Sequence, residues 1–286
     1  MMSKPVRRPI IRYHGGKWKL ADWVVSHLPA HRVYVEPFGG AGSVLLRKPR
    51  SYAEIYNDLD AELVNLFRVA RDQGERLQRV LELTPFARDE FRLSYERHDD
   101  PVEQARRTVT RAFMGFGTNA HNRQTGFRAV SNNSGTTPAH DWSNYPAAFS
   151  AIVQRLQGVV IENRDALEVM QAQDGPDTVF YVDPPYVPET RDRGSDYQFE
   201  MTSADHETLA VFLHGVKGAV VLSGYACALY DRLYADWRQV RARAYADGGA
   251  VRTEVLWLSP GCPPTGLFDG WWPQAAMAGN GAHDDE

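Results

Sequence analysis

The chain has 286 residues, 43% hydrophobic and 24% charged, with a formal net charge of −4 at pH 7. That length holds one large domain or a domain with a sizeable insertion, and the composition excludes a disordered chain. No apolar run approaches the roughly 18 residues of a membrane span. The two cysteines, Cys227 and Cys262, make neither a disulfide framework nor a zinc pattern, so the expectation is a cytoplasmic protein without metal.

The first stretch, "MMSKPVRRPIIRYHGGK", is basic but has no apolar segment behind it and does not read as a secretory signal. Residues 1–32 carry seven Lys/Arg against the single acid Asp22. Within them "YHGGKWKL" (13–20) precedes an amphipathic helix, where Tyr13 can pack on a ligand and Lys17 can pair with a carboxylate. "RVYVEPF" (32–38) predicts a short strand opening into the glycine turn "GGAGS" (39–43), and "VLLRK" begins a helix. "AEIYND" (53–58) is a second strand, followed by one helical pattern through "AELVNLFRVARDQGERLQRVLEL". Strand, turn, helix and strand make a βαβ unit, hence a parallel sheet.

The glycine turn offers close backbone approach and free N–H groups at a helix start. It fits a dinucleotide fingerprint poorly, because Leu45 stands where the third glycine belongs, and no Lys-Ser/Thr follows as in a P-loop. Asp58, 18 residues beyond Gly40, is placed to accept from ribose hydroxyls, and Glu36 adds a second acid. Acids there repel a pyrophosphate and suit a cationic nucleoside, which describes S-adenosylmethionine. Capping or a solvated turn is the plainer explanation for either acid.

From residue 62 to 157 the text changes. Helical at first, it becomes rich in Gly, Asn, Ser, Thr and Arg, and is expected to form an inserted lobe with a turn or hairpin around "NRQTG". Between Gln104 and His140 there are five arginines and no acid, a segment able to neutralise phosphates or to form a solvated face. The α/β pattern then resumes with strands at 158–165, 178–183 and 218–225, and two last strands near "RQVRARAYA" and "TEVLWLS".

"VFYVDPPY" (179–186) ends a core strand on an acid, two prolines and a tyrosine. The Asp183 carboxylate and the Pro184 carbonyl can together engage both N–H bonds of an exocyclic amine and favour an sp³-like nitrogen. That interaction strengthens as positive charge builds in a transition state. Pro185 stiffens the turn, and Tyr186 offers a stacking face to a base taken out of a duplex. A strand-to-loop turn capped by Asp183 explains the tetrad equally well in isolation.

Taken in order, "YHGGKWKLADWVVSHLP", "YVEPFGGAGSVLLRK", "YNDLDAELVNLFR", "VVIENRDALEVM" and "FYVDPPY" resemble the motifs of Dam-type DNA adenine-N6 methyltransferases. The resemblance implies an α/β fold: a Rossmann-like, mostly parallel seven-stranded methyltransferase sheet in two pieces, 1–61 and 158–275. It implies a target-recognition lobe at 62–157; the tail 276–286 is expected to be disordered from its small and polar composition. The resemblance puts Tyr13, Gly15, Lys17, Glu36, Phe38, Gly40, Gly42, Asp58 and Asp183 around S-adenosylmethionine, with Asp165 near the cofactor's adenine. Asp183, Pro184, Pro185 and Tyr186 would form the catalytic tetrad for N6 of a flipped adenine. "HNRQTGFR" falls where relatives carry a DNA-contacting hairpin, so Asn122, Arg123 and Arg128 are the expected contacts to double-stranded DNA. A cognate restriction endonuclease is a possible companion in a bacterial or phage setting. RNA adenine, cytosine N4 and a non-catalytic binding module are the rival readings. The segment 187–199 is expected to close over an extruded base.

Overall fold

The computed structural model describes residues 5–129, 136–190, 198–245 and 251–263. The strands are β1 (Val33–Glu36), β2 (Ala53–Asn57), β3 (Val159–Glu162), β4 (Thr178–Val182), β5 (Ala219–Tyr225), β6 (Arg238–Tyr245) and β7 (Val251–Leu258). They form one seven-stranded sheet in the order β3-β2-β1-β4-β5-β7-β6. The first five are parallel, while β7 runs antiparallel between β5 and β6. All five residues of β4 are buried, as expected of a central strand covered on both faces. The order reverses between β1 and β4, whose carboxyl ends therefore flank the crevice where open α/β sheets hold ligands.

The helices are α1 (Ala21–Ser26), α2 (Ser43–Arg47), α3 (Ala61–Asp72), α4 (Gly74–Glu82), α5 (Arg88–Leu93), α6 (Pro101–Met114), α7 (Pro138–Leu156), α8 (Ala166–Gln173), α9 (Ser203–Gly215) and α10 (Ala228–Leu233). The single long helix expected after β2 is in fact two. The backbone leaves helical geometry at Gln73 (φ −134°, ψ 34°), so α3 stays against α6 and β3 while α4 turns onto α7. The chain between β2 and β3 shares its core with the sheet: Phe67, Phe113, Tyr145 and Phe149 belong to the same apolar cluster as Tyr34, Val179 and Val221. Residues 10 and 11, both buried isoleucines, dock on α7, where the Tyr145 hydroxyl donates to the Ile10 carbonyl.

The arginine-rich segment is not the exposed basic face that the sequence allows. Arg106, Arg107 and Arg111 are buried on α6 and bound to Glu103, Glu90 and Glu62. Two of those acids lie well upstream of the window in which none was found. The pairing with Arg106, ahead of burial, holds the Glu103 carboxyl down to about 2. The hairpin expected around "NRQTG" takes the form of an antiparallel approach. Phe116 N–H donates to Gly126 O at 2.8 Å and Arg128 N–H to Met114 O at 2.7 Å. The tail 276–286 and most of the segment expected to close over a base (191–197) lie outside the described residues.

Candidate active site

β1 ends in Glu36, and the chain turns through Pro37–Ala41 into α2. Gly40 has φ +48°, and a Cβ there would stand 3.1 Å from the Tyr13 ring; Gly42 has φ +59°, and a Cβ there would meet Phe67 at 2.9 Å. Both positions therefore require glycine, for different reasons. Gly40 lines a cleft, whereas Gly42 caps α2 and lets Phe67 pack beneath it.

The cleft opens above the carboxyl ends of β1, β2 and β4 and encloses about 930 Å³, counting its open mouth. Tyr13, Gly15, Lys17, Glu36, Phe38, Gly40, Asp58, Asp183 and Pro185 all line it, so most of the residues singled out from sequence converge on one space. Gly42, Pro184 and Tyr186 do not line it, and neither does Asp165. The Asp165 carboxylate caps α8, accepting from the N–H groups of Leu167 and Glu168, and Ala166 forms the wall there. The sequence reading missed Asp60, Phe199 and Met201, which also line the cleft.

The acids are held by specific donors. Glu36 is buried and accepts from the Tyr34 hydroxyl (2.8 Å) and from Leu45 N–H (3.1 Å); burial pushes its carboxyl up to about 8. Asp58 accepts from Gly40 N–H and Asp60 N–H, both at 2.8 Å, and burial raises it to about 6. Asp60 in turn accepts from His121 at 2.6 Å, and the His121 ring lies 5.8 Å from that of Tyr13. The hairpin segment is thereby tied directly to the cleft wall.

Asp183 follows β4. Its Oδ1 accepts from the Ser223 hydroxyl of β5 at 2.7 Å, and its Oδ2 lies 3.1 Å from Lys17 Nζ. Lys17, expected to meet a ligand's carboxylate, thus has carboxylate partners within the chain. Tyr186 is buried with its hydroxyl donating to Glu254 of β7, its ring edge-on to Tyr225 at 4.7 Å and the Lys17 ammonium 4.8 Å from its centre. Among the residues expected to touch DNA, Arg123 is exposed, Asn122 is half-buried, and Arg128 is half-buried with its guanidinium 3.9 Å from Asp141. Phe116, beside them, is 72% exposed. No cluster of three or more His, Cys, Asp or Glu suited to a metal occurs among the described residues. Nor is any helix among them long and apolar enough to cross a membrane.

These acids give the ligand-free protein a defined pH response. A carboxyl whose folded pKa is raised contributes stability that is complete below its unfolded pKa and lost as pH rises through the folded value. Glu254, raised to about 7, and Glu36, raised to about 8, lose that contribution as pH rises from the ordinary carboxyl value of 4.5 through those values. Thermal unfolding is expected to shift down by about 5 °C across that window, and Glu36→Gln should flatten the decline. A Tm that climbs over the same interval would contradict the assignment.

A Rossmann-like, mostly parallel sheet with an acidic, glycine-floored cleft at its switch point is consistent with a methyltransferase. The chain belongs to the D12 class N6 adenine-specific DNA methyltransferase family, whose pattern it matches over residues 13–245. It is similar to the DNA adenine methylase of Serratia marcescens, 35% identical over 106 residues, which are 36% of this chain and 39% of that protein. The DNA adenine methylase of Escherichia coli (strain K12) is 33% identical over 105 residues, 34% of this chain and 37% of the relative. That of Vibrio cholerae serotype O1 (strain ATCC 39315 / El Tor Inaba N16961) is 32% identical over 69 residues, 24% of each chain. The matched stretches thus span less than two-fifths of these relatives' lengths.

Proposed function

We propose that this chain transfers a methyl group from S-adenosylmethionine to N6 of an adenine extruded from duplex DNA. The observation that carries the reading is the convergence of Asp183, at the end of β4, with Glu36, Gly40 and Asp58 in one cleft. The residues present fit the cofactor. Asp58, Asp60, Asp183 and Glu200 outnumber Lys17 around the cleft, which suits a cation without phosphates. Tyr13 and Phe38 would flank the nucleoside, Asp58 the ribose, and Gly15 and Gly40 would give backbone approach.

When bound, the cofactor would supply an electrophilic methyl group to N6, its bonding pair remaining on sulfur as a neutral thioether and the surplus N6 proton passing to solvent. The chain's part is electrostatic. Asp183 accepts an N6 hydrogen bond that strengthens as the nitrogen becomes cationic, and the Pro184 carbonyl takes the other N–H. Ser223 and Lys17 fix the two Asp183 oxygens in advance, so no reorganisation is needed at the moment of transfer. Residues 62–157 serve as the target-recognition lobe, with Asn122, Arg123 and Arg128 supplying donors to bases and phosphates. The relatives named DNA adenine methylase support adenine as the acceptor base.

The test is methylation of duplex DNA, single-stranded DNA and RNA with labelled S-adenosylmethionine, followed by nucleoside analysis. N6-methyladenine in the duplex is expected. Label on RNA alone, or on cytosine, would overturn the reading.

A further inference from the structure

Glu254 is an acid in the middle of a core strand. Its neighbours Val255, Leu256 and Trp257 are fully buried, and Glu254 itself is 3% exposed. A carboxylate in such a place is costly unless it is paired. Its Oε1 accepts from the Tyr186 hydroxyl and stands 3.8 Å from Lys17 Nζ. The same ammonium lies 3.1 Å from Asp183 Oδ2, on the opposite side from Ser223. The β5–β7 register sets Glu254 opposite Tyr225, whose ring packs on Tyr186. One side chain therefore reaches both the Tyr186 hydroxyl, three residues beyond Asp183, and the ammonium that pairs with the Asp183 carboxylate.

The geometry points to Glu254 as a positioning residue for methyl transfer: it holds Tyr186 by its hydroxyl and shares the charge of Lys17 with Asp183. The inference rests on the proposed methyl-transfer function. An ammonium facing one carboxylate neutralises it, whereas an ammonium between two leaves the cluster net negative. With Glu254 ionised, Asp183 keeps more of the negative charge with which it meets an increasingly cationic N6, and that gain appears in the transition state. Burial raises the Glu254 carboxyl to about 7, against the pull of Lys17, so the cluster's charge changes near neutrality. The groups facing it are Lys17 from the N-terminal loop, Asp183, Tyr181 and Tyr186 from β4 and its end, and Tyr225 from β5. Arg252 lies beyond, 6.0 Å from the Tyr225 ring. From β6 the opposite residue is Ala242, which carries no charge.

Glu254→Gln keeps the shape and an acceptor for Tyr186 while removing the charge. Its kcat is expected to fall about 10- to 100-fold with the cofactor KM unchanged. Wild-type kcat should rise with pH through about 7, and the variant should lack that rise. A second readout needs no turnover. In protein labelled with 13C at the lysine ε-carbon, the Lys17 line, identified by its loss in Lys17→Arg, should move in Glu254→Gln. Wild-type kcat with an unmoved Lys17 line overturns the proposal. Should Glu254→Gln fail to fold, Glu254→Asp carries the test: it must retain the pH-dependent rise, and losing it counts against the role. If the wild-type protein methylates no nucleic acid while the Lys17 line still moves, the proposed function falls and the shared charge stands.

Discussion

Asp183→Ala is expected to lower methyl transfer by about 10²- to 10³-fold or more, while S-adenosylmethionine still binds. The carboxylate is the acceptor aimed at the amine, and its loss removes an interaction that grows as N6 becomes cationic. Glu36, Asp58 and Asp60 remain to hold the cofactor, so calorimetric affinity should change little. Asp183→Asn is a stricter comparison. It retains an oxygen for the Ser223 hydroxyl yet cancels the charge paired with Lys17, and it should be nearly as slow. Turnover close to wild type in either variant would remove Asp183 from the mechanism.

The second large effect concerns stability. Glu54 of β2 is buried and bonded on one side to Lys48 Nζ (2.7 Å) and on the other to Arg155 of α7 (2.6 and 2.8 Å). Arg155 also donates to the Leu45 carbonyl, so this pair pins the last helix before β3 against the sheet and α2. Glu54→Ala leaves two cations buried without their shared anion, and the expected cost is about 3–5 kcal/mol of unfolding free energy. Urea denaturation measures it directly. Glu54→Gln, which keeps an acceptor, should cost less. A loss for Glu54→Ala no larger than that of an exposed ion pair, under about 1 kcal/mol, would show that Lys48 and Arg155 find other partners.

Much of the sheet was legible because its strands are short apolar runs with unambiguous stops. "TVFYV" halts at Asp183 and two prolines, "VYVE" ends in Glu36 before the glycine turn, and "AEIYN" halts at the turn that carries Asp58. The cleft was legible for the same reason: residues just past parallel strand ends must share one edge of the sheet. What escaped depended on partners distant in the chain. Arg106, Arg107 and Arg111 look like a basic patch until the tertiary fold brings Glu62 and Glu90 to α6. His121 gave no sign of its bond to Asp60, which lies 61 positions away. Glu254 did leave a trace, since an acid inside "TEVLWL" breaks a buried strand's apolar pattern, but only the antiparallel β7 shows which groups it meets. Asp165 carries the opposite lesson. Its carboxylate serves the first turn of a helix, as a residue of that type before "ALEVM" ordinarily does.

The antiparallel strand has a consequence for biogenesis. Among the described residues β7 is the last strand made, yet it lies inside the sheet between β5 and β6. During synthesis the Lys17–Asp183–Tyr186 constellation therefore lacks its fourth member until residue 254 has cleared the ribosome and inserted beside β5. Such a late, sequence-distant closure is slow relative to local helix formation. The parallel strands can pair before that point, whereas the reactive corner cannot be finished until β7 is in place.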